Sequence, residues 1–378
     1  MSLLKEKIRA SIYLLSYFET LGFGNTSWEF NFGNTKFEKN ESAYMWLNII
    51  HNYFALGGFN KIDITDWKSS DDTIMMIATG LGCLIGGNEK NYIDEYVRIL
   101  PELKNRERAS GINTLNILEI IKRTKSISKL DYKKNMGGNG AAMRTSIIGL
   151  IYYQEKDLEK LIENSIIASR VTHNYTLGFL GGLVTALFTS FGMRNIPIWE
   201  WVDRFLKIYD EGIIDKYMKK TNIYKQYLED KDFFFDLWRQ YSEQRLSKFI
   251  NFSFDFYLYE NRLESLEEYN QFNGNYFYFG SSGISSVIVA YDSLLMGYGC
   301  NNTPLDLKDK NLKFSLDSLI FFSTLHFGDN DTTGAIAGAW YGAYFGFKDF
   351  DTNKLNQLEF KNELEKLYKR VETYMDSA

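Results

Sequence analysis

The chain has 378 residues, of which 45% are hydrophobic and 24% are charged, and this composition is typical of a soluble globular protein rather than a disordered one. Its net charge of -5 and pI near 5.5 give no support to a nucleic-acid-binding function. Two cysteines exclude a disulfide framework and favour a reducing compartment. Three histidines, far apart in the chain, can hardly furnish a zinc site. Any metal would therefore be bound by carboxylate and hydroxyl oxygens, which suit magnesium, calcium or manganese.

The N-terminal residues predict an amphipathic helix rather than a signal peptide. Basic residues precede the apolar run 12–15, but Glu19 interrupts that run and no small-residue cleavage site follows. Helical periodicity recurs almost throughout the chain, and apolar residues three and four apart predict helices from Ser70, over 158–169 and over 364–374. No series of strands alternates with helices, so a parallel α/β sheet is not expected.

Two uncharged segments are candidates for deep burial. Residues 175–193 approach the ~20 residues that span a bilayer, whereas residues 332–347 are too short. The first segment is rich in glycine and hydroxyl residues and lacks a flanking basic loop, so both segments are predicted to be buried helices, with a membrane helix as the less favoured alternative. Strict alternation over 250–256 predicts one strand, inside a region, 219–271, that the sequence does not otherwise assign.

Two turns that combine paired acids with hydroxyls come directly before apolar helices, around residues 70 and 330. Capping alone would explain the first turn, because a serine N-cap and acids in the first turn favour a helix. If the two helices pack side by side, four carboxylates converge, and two divalent cations would neutralise their repulsion, with two hydroxyls completing the oxygen shell. The alternative, that the two turns lie far apart, stays open at this point. The candidate metal ligands are Ser70, Asp71, Asp72, Asp329, Asp331 and Thr332.

A stripe of glycines marks the helix that follows the second acidic turn. Gly334, Gly338, Gly342 and Gly346 recur at one-turn spacing. Glycine inside a helix costs about 1 kcal/mol relative to alanine, so packing must offset this cost. The stripe predicts that another backbone approaches this helix closely.

Three further segments present groups that could bind a substrate. The glycine-rich residues 135–144 offer backbone N–H groups suited to phosphate, although they form neither a Walker A loop nor a Rossmann fingerprint. The triplet 172–174 precedes a long apolar helix, where a lone histidine such as His173 is more often a structural or capping residue than a catalyst. Residues 280–283 follow an aromatic cluster and could line a pocket for an aromatic base, or form an ordinary turn.

Taken together, these segments resemble the ADP-ribosylglycohydrolase family, and within it the ADP-ribosylarginine hydrolase branch. The matching segments follow the expected order: WEF from Trp28, LGG from Leu56, SDDTIMMIAT from Ser70, GNGAAMR from Gly138, SRVTHN from Ser169, GSSG from Gly280, AYD from Ala290 and HFGDNDTTGAIAG from His326. The resemblance implies an all-α fold, a single domain over residues 1–378, and a central dinuclear magnesium site held by the six candidate ligands named above.

The resemblance also implies roles towards the substrate. Asp71 and Asp72 would act in catalysis together with Glu29, which would lie near the reacting sugar, and the general acid or base is left open between Asp72 and Glu29. The loop 138–143 would hold the diphosphate, and residues 281–283 with nearby aromatic rings would contact the adenosine end. The candidate substrate-binding residues are Gly138, Asn139, Gly140, Met143, His173, Asn174, Ser281, Ser282 and Gly283.

The implied activity is hydrolysis of the N-glycosidic bond between ADP-ribose and arginine on proteins. The enzyme would be a cytoplasmic monomer with two Mg²⁺ ions, would release ADP-ribose, and would bind neither nucleic acid nor membrane. Three departures from the family pattern affect substrate contacts: Phe18-Glu19 replaces a Gly-Asp pair, residues 175–177 replace His-Pro-Thr, and Ile284-Ser285 replaces a His-Asp pair. The alternatives are therefore a hydrolase for serine-linked or small-molecule ADP-ribose, and a non-catalytic ADP-ribose-binding protein.

Overall fold

A computed structural model describes residues 2–29, 39–251, 278–299 and 313–377, together with residues 262, 266, 269, 271–272 and 275–276. These residues are overwhelmingly helical, which confirms the all-α prediction. The α-helices are α1 (Leu3–Phe23), α2 (Lys39–Ala55), α3 (Gly58–Lys61), α4 (Asp71–Leu84), α5 (Glu89–Leu103), α6 (Ile112–Thr124), α7 (Ser146–Ile151), α8 (Leu158–Arg170), α9 (Thr176–Met193), α10 (Trp201–Asp210), α11 (Ile213–Met218), α12 (Tyr224–Tyr241), α13 (Ser247–Asn251), α14 (Ser285–Gly299), α15 (Leu316–Thr324), α16 (Asn330–Phe345) and α17 (Lys361–Ser377).

The most extensive helix pairing joins α1 to α16, and it explains the glycine stripe. A Cβ atom built on Gly342 would lie 2.4 Å from the Ser11 nitrogen, and one built on Gly338 would lie 2.3 Å from the Leu14 carbonyl oxygen. Gly334 likewise faces the backbone of Phe18. The two helices therefore run antiparallel in backbone contact, as the stripe predicts. Gly346 differs from the other three, because it lies beyond the end of α16, where its φ of 68° ends the helix.

The long apolar helix α9 passes through the middle of the protein. It is the one helix in the described ranges that is long and apolar enough to cross a membrane, yet every one of its residues is buried inside the protein. It packs against α7, α8 and α16. The segment is therefore a core helix, in agreement with the prediction of burial.

An aromatic cluster joins the helices around α9. The Phe188 ring lies 5.2–5.5 Å, centroid to centroid, from the rings of Trp201, Trp238, Tyr291 and Trp340. These four partners come from α10, α12, α14 and α16. Because aromatic side chains bury large apolar areas, this cluster makes one continuous core out of helices that are distant in sequence.

A buried ion cluster accounts for the aspartate of the AYD segment. Asp292 is fully buried and accepts hydrogen bonds from Arg245, from the Arg262 Nε at 2.6 Å and from the Tyr241 hydroxyl at 3.0 Å. Burial alone would raise the pKa of Asp292, but the two arginines lower it. The ionised carboxylate thus ties Arg262, in a segment between α13 and α14, to the core.

The strand predicted over 250–256 is wrong where the structure describes it. Ile250 and Asn251 end helix α13, and residues 252–256 lie outside the described residues. The alternating pattern fails here because the two residues continue a helical run from α12 rather than start a new element. Within the described ranges, strands are limited to two antiparallel pieces of two residues each, β1 (Gln271–Phe272) and β2 (Asn275–Tyr276).

We expect Gly342→Ala to destabilise the protein. Its Cβ would lie within 2.6 Å of three backbone atoms of α1, which cannot move aside as a flexible side chain can. Such overpacking costs about 1–3 kcal/mol, which exceeds the gain of about 1 kcal/mol in helix propensity. Thermal unfolding followed by circular dichroism should show a lower Tm.

The matched control for Gly342→Ala is Gly111→Ala. Gly111 has a φ of -56°, and the nearest atom to its Cβ would be the Thr114 hydroxyl at an ordinary 3.6 Å. Because Gly111 is the N-cap of α6, where alanine is less favourable than glycine, the control should lower the Tm slightly and by less than Gly342→Ala does. Equal Tm values for Gly342→Ala and wild type would contradict the close contact between α1 and α16.

Candidate active site

The first acidic turn begins helix α4. Ser70 is the N-cap, and its hydroxyl accepts a hydrogen bond from the Asp72 amide at 3.3 Å. The capping interpretation therefore explains Ser70, but it does not explain the two carboxylates that follow. Asp71 and Asp72 are 8% and 1% exposed, although acids that merely favour a helix dipole are ordinarily solvated.

The second acidic turn begins helix α16. Asp329 occupies the N-cap position without making a side-chain cap hydrogen bond. Asp331 accepts the Thr332 amide at 2.8 Å, and all three residues are at most 5% exposed. Asn330, between them, donates from its side chain to the Trp28 carbonyl at 3.2 Å. This bond fixes the chain next to Glu29 against the turn.

The structure brings the two acidic turns together in one buried cluster. Carboxylate oxygens of Glu29, Asp329 and Asp331 lie within 4.8 Å of one another. Asp331 is close enough to Asp71 and Asp72 to raise the pKa of both, so the alternative of two distant turns does not hold. The glycine stripe contributes to this arrangement, because α1 lies in backbone contact with α16 up to the acidic turn itself.

Burial and mutual repulsion dominate the electrostatics of the acidic cluster. Burial first, and then Asp331, raise the pKa of Asp71 to about 7 and the pKa of Asp72 well above its usual range. The pKa values of Glu29 and Asp329 are raised well above normal by the same two causes. In the described part of the chain these acids form no ion pair with lysine or arginine. Six carboxylates, counting Glu19 described below, therefore share one region without a lysine or arginine ion pair among the described residues, although the charge of Arg144 lowers the pKa of Asp71.

The acidic cluster fits hard divalent cations. Asp72 Oδ2 and Asp329 Oδ1 are buried and have no hydrogen-bond partner among the residues that the structure describes. A buried polar atom without a partner is costly, and a metal ion bound by these oxygens would remove that cost. Carboxylate and hydroxyl oxygens are ligands for magnesium, calcium or manganese rather than for zinc.

The glycine-rich loop and the 280–283 segment lie directly beside the acids. The Asn139 amide donates to the Ser281 carbonyl at 3.0 Å, and the Asn139 side chain donates both to the Gly280 carbonyl at 2.9 Å and to Asp329 at 2.8 Å. Gly138 and Ser282 form an isolated β-bridge. Two segments that are far apart in sequence thus form one wall next to the second acidic turn.

The predicted substrate-binding residues differ in accessibility. Ser281 is partly exposed, whereas Ser282 is 1% exposed and its hydroxyl accepts the Ser285 amide at 3.0 Å. Gly283 packs against the backbone of α9, and Met143 is buried in the core. Ser282, Gly283 and Met143 therefore support the wall from inside the protein, and the partly exposed Ser281 lies on the surface of the wall.

His173 lies behind the glycine-rich loop. A Cβ on Gly140 would lie 2.7 Å from the His173 ring, so Gly140 leaves room for that ring. Burial, with a smaller effect of Arg144, lowers the pKa of His173 to about 3. A neutral, buried imidazole that contacts Thr172 at 2.8 Å supports the loop from behind.

Asn174 is directed away from the acids. Its side chain accepts from Arg170 at 2.8 Å and donates to the backbone carbonyls of Leu130 and Asp131, both at 3.3 Å. These hydrogen bonds hold Asn174 within the segment before α9. Its side chain therefore does not lie on the open face of the glycine-rich loop.

Sequence reasoning missed Glu19 as a member of the acidic cluster. Glu19 is fully buried in α1 and accepts hydrogen bonds from the Ser70 amide and from the Thr73 hydroxyl at 2.9 Å. Burial raises its pKa to about 8, with a contribution from Asp331. The available signal was a single acid inside an apolar helical run, at the position where the family has aspartate.

The departures at 175–177 and 284–285 are buried in this structure. Tyr175 is 1% exposed, and its ring lies 5.0 Å from that of Tyr132. Ser285 accepts the Gly280 amide at 3.0 Å, and Ile284 is 1% exposed. These residues therefore support the wall from within and leave the acids unchanged.

The helical fold and the cluster of carboxylate and hydroxyl oxygens at its centre define a class of protein that can bind divalent metal ions. Comparisons then specify the family. Residues 4–378 match the model of the ADP-ribosylglycohydrolase family. The ADP-ribosylhydrolase ARH1 of Dictyostelium discoideum is 32% identical over 407 residues, which cover 97% of this chain and 94% of that protein. The ADP-ribosyl glycohydrolase L444 of Acanthamoeba polyphaga mimivirus is 32% identical over 383 residues, covering 96% of this chain and 69% of that one.

A solved structure shares the fold. A chain of an ADP-ribosylglycohydrolase-related protein complex matches with a TM-score of 0.55 at 17% identity, covering 98% of both chains. The protein described here belongs to the ADP-ribosylglycohydrolase family. The family is metal-dependent, in keeping with the acidic cluster.

We expect Mg²⁺ to stabilise the protein more at pH 8 than at pH 5.5. The folded, metal-free protein holds protons on acids whose pKa values are raised, to about 7 for Asp71 and about 8 for Glu19, while the unfolded chain has released them. Its stability therefore falls as pH rises from about 4.5 to 8. Mg²⁺ bound at these acids would replace those protons, and a ligand at 100 times its Kd adds about 2.7 kcal/mol of stability. Differential scanning fluorimetry with and without MgCl₂ measures both effects.

Asp331→Asn provides the critical comparison for this prediction. Removing one charge should leave the metal-free variant at least as stable as wild type at pH 8, while its response to Mg²⁺ is lost. Asp94→Asn, which changes a 43% exposed side chain on α5, should keep the full response. A normal Mg²⁺ response in Asp331→Asn would contradict a metal site at these acids.

Proposed function

We propose that the protein hydrolyses the N-glycosidic bond between ADP-ribose and arginine on mono-ADP-ribosylated proteins in a Mg²⁺-dependent reaction. Family membership establishes the coarser activity, hydrolysis of ADP-ribosyl groups. The ordered motifs that resemble the arginine branch support the choice of arginine. The observation that carries the proposal is the pair of unpartnered oxygens, Asp72 Oδ2 and Asp329 Oδ1, in a buried acidic cluster beside a glycine-rich wall.

The metal would be held by residues of both acidic turns. Two Mg²⁺ ions, when bound, would orient the ribose hydroxyls and lower the pKa of a bound water. The chain contributes a rigid frame, because each turn is fixed at the start of a buried helix. The proposed ligands are Ser70, Asp71, Asp72, Asp329, Asp331 and Thr332.

Two carboxylates are candidates for moving protons. In the reaction, a water oxygen forms a bond to the anomeric carbon as the carbon–nitrogen bond breaks through an oxocarbenium-like state, so the water loses a proton and the leaving nitrogen gains one. We assign orientation or deprotonation of the water to Asp72. Glu29, whose pKa is raised by burial and then by Asp331, is the alternative acid or base.

The wall beside the acids would bind the rest of ADP-ribose. Backbone groups of 138–143 would hold the diphosphate. Ser281 and the ring of Tyr278, which is 51% exposed, would contact the adenosine end. The acidic cluster then receives the ribose that carries the scissile bond, which gives the substrate one orientation across the site.

We further infer that residues 1–378 act as one domain, as a cytoplasmic monomer that binds neither nucleic acid nor membrane. The match to the family model over residues 4–378 and the continuous core support one domain. Free, buried Cys83 and the scarcity of cysteine are in keeping with a reducing compartment.

We expect Asp72→Asn to lower the release of ADP-ribose from arginine-modified protein by about 10²–10⁴-fold, since proton transfer by a positioned group contributes this much. Asp71→Asn should abolish release in the same magnesium buffer. Asp236→Asn, which alters a 67% exposed residue on α12, is the control and should keep full activity. Full activity in the Asp71→Asn and Asp72→Asn variants would refute the assignment.

A panel of arginine-linked, serine-linked and small-molecule ADP-ribose conjugates tests the acceptor. The proposal predicts turnover of the arginine conjugate, with at least tenfold lower kcat/KM for the others. Preference for serine or a small molecule would overturn the specificity but keep the hydrolase. Calorimetric binding of ADP-ribose without turnover of any conjugate would instead indicate a non-catalytic ADP-ribose-binding protein.

A further inference from the structure

The backbone of the dipeptide Ser69–Ser70, directly before α4, is held by side chains. The Ser69 amide donates to Glu359 Oε2 at 3.0 Å, and the Ser69 carbonyl accepts from Arg108 Nη1 at 2.9 Å. The Ser70 amide donates to Glu19. Three backbone groups of this dipeptide are thus bound by side chains from three separate parts of the chain.

Arg108 and Glu359 also bind each other through two parallel hydrogen bonds. Nη1 donates to Oε2 at 2.8 Å, and Nη2 donates to Oε1 at 3.1 Å. The Arg108 side chain is 7% exposed and the Glu359 side chain 22%, so water screens the pair only weakly. Burial alone would raise the pKa of Glu359, but Arg108 and the Ser69 amide lower it, and the carboxylate stays ionised. Bidentate pairs of this kind fix orientation as well as adding energy.

The ion pair connects the acidic cluster to two remote segments. Arg108 lies in a short 3₁₀ helix, Arg106–Arg108, between α5 and α6, and Glu359 lies just before α17. Glu102, on α5, accepts from Arg108 Nε at 2.8 Å, but it does not contact the dipeptide. The acids next to the dipeptide repel one another, so the turn that carries them needs such external support.

We propose that Arg108 and Glu359 are positioning residues that hold Ser70 and the first turn of α4 in the geometry required to bind the divalent metal. The inference rests on the metal site of the proposed function. Neither residue belongs to the acidic cluster, so they act through the backbone of Ser69. Loss of residues that orient metal ligands typically weakens metal binding about 10–100-fold.

The test measures metal affinity directly on the full chain. Isothermal titration calorimetry with MgCl₂, and electron paramagnetic resonance of free Mn²⁺, give the Kd for wild type, Arg108→Lys and Glu359→Gln. Arg108→Lys keeps the charge but loses the two-pronged contact, and Glu359→Gln removes the charge but keeps an acceptor for the Ser69 amide. Both should weaken metal binding about 10–100-fold. Circular dichroism at the same temperature checks that each variant is folded. If one variant unfolds, the metal Kd of the other variant tests the proposal.

Glu102→Gln is the matched control. Glu102, whose side chain is 46% exposed, is the other acid that pairs with Arg108, and the substitution leaves the contacts of Ser69 unchanged. Its Kd should stay within twofold of the wild-type value. The positioning role also predicts that the two test variants raise the Mg²⁺ concentration for half-maximal activity while kcat at saturating Mg²⁺ stays near wild type.

Wild-type affinity in the folded test variants, or equal weakening in Glu102→Gln, would overturn the positioning role and leave the metal site intact. A wild-type protein that binds neither Mg²⁺ nor Mn²⁺ would overturn the metal site, and this inference with it. Lack of arginine specificity in the conjugate panel bears on neither result.

Discussion

Repulsion among buried carboxylates is the constraint on which the rest of the structure depends. The acidic turns of α4 and α16, together with Glu19 and Glu29, bring together six acids, of which five are buried and Glu29 is half-buried, without a lysine or arginine ion pair among the described residues. A buried carboxylate is strongly destabilising unless it is paired with a cation, protonated or bound to a metal ion. Metal-free protein satisfies the requirement with protons, and metal-bound protein would satisfy it with cations. The raised pKa values are therefore the electrostatic signature of a site built for cations.

The packing of α1 against α16 makes that arrangement possible. Gly22 is the critical contact, because a Cβ there would lie 2.3 Å from the Asn330 carbonyl oxygen and 2.9 Å from the Asp331 nitrogen. Any side chain at residue 22 would push the second acidic turn away from α1, which carries Glu19. Phe18, which replaces a smaller residue of the family pattern, has its side chain opposite Gly338, where a Cβ would lie 3.0 Å from the Phe18 ring. The glycines thus serve the geometry of the acids as well as the density of the core.

Much of the fold and of the site could be predicted from the sequence, for physical reasons. Helical spacing of apolar residues identified α4, α8 and α17, because burial of one face imposes that period. The glycine stripe indicated close backbone contact, but it could not name α1 as the partner, since nothing local to a stripe specifies what packs on it. The alternation at 250–256 misled because Ile250 and Asn251 continue a helical run.

The acidic cluster, too, could be predicted only in part, because neighbouring residues in the sequence identify candidate ligands but not their contacts with distant segments. Paired acids beside hydroxyls marked Asp71 and Asp331, and only tertiary structure shows that they meet. Arg108 and Glu359 belong to no recognisable motif, since each acts through a contact with a distant backbone, and Glu19 stands at a family position that it does not match. Residues such as Asn174, which belongs to a motif but is turned into the core, could not be distinguished by sequence from residues that form the wall beside the acids.

The pairing of α1 with α16 has a consequence for synthesis. Helix α1 is synthesised well before α16, so the helix that covers its buried face is complete only when the chain has reached residue 345. At about 5–20 residues per second, α1 waits tens of seconds with its apolar surface uncovered. Until then the nascent chain cannot form the acidic site, because Glu19 and Asp331 are far apart in the sequence. The apolar face of α1 is thus uncovered for much of synthesis, and the site is among the last features of this chain to form.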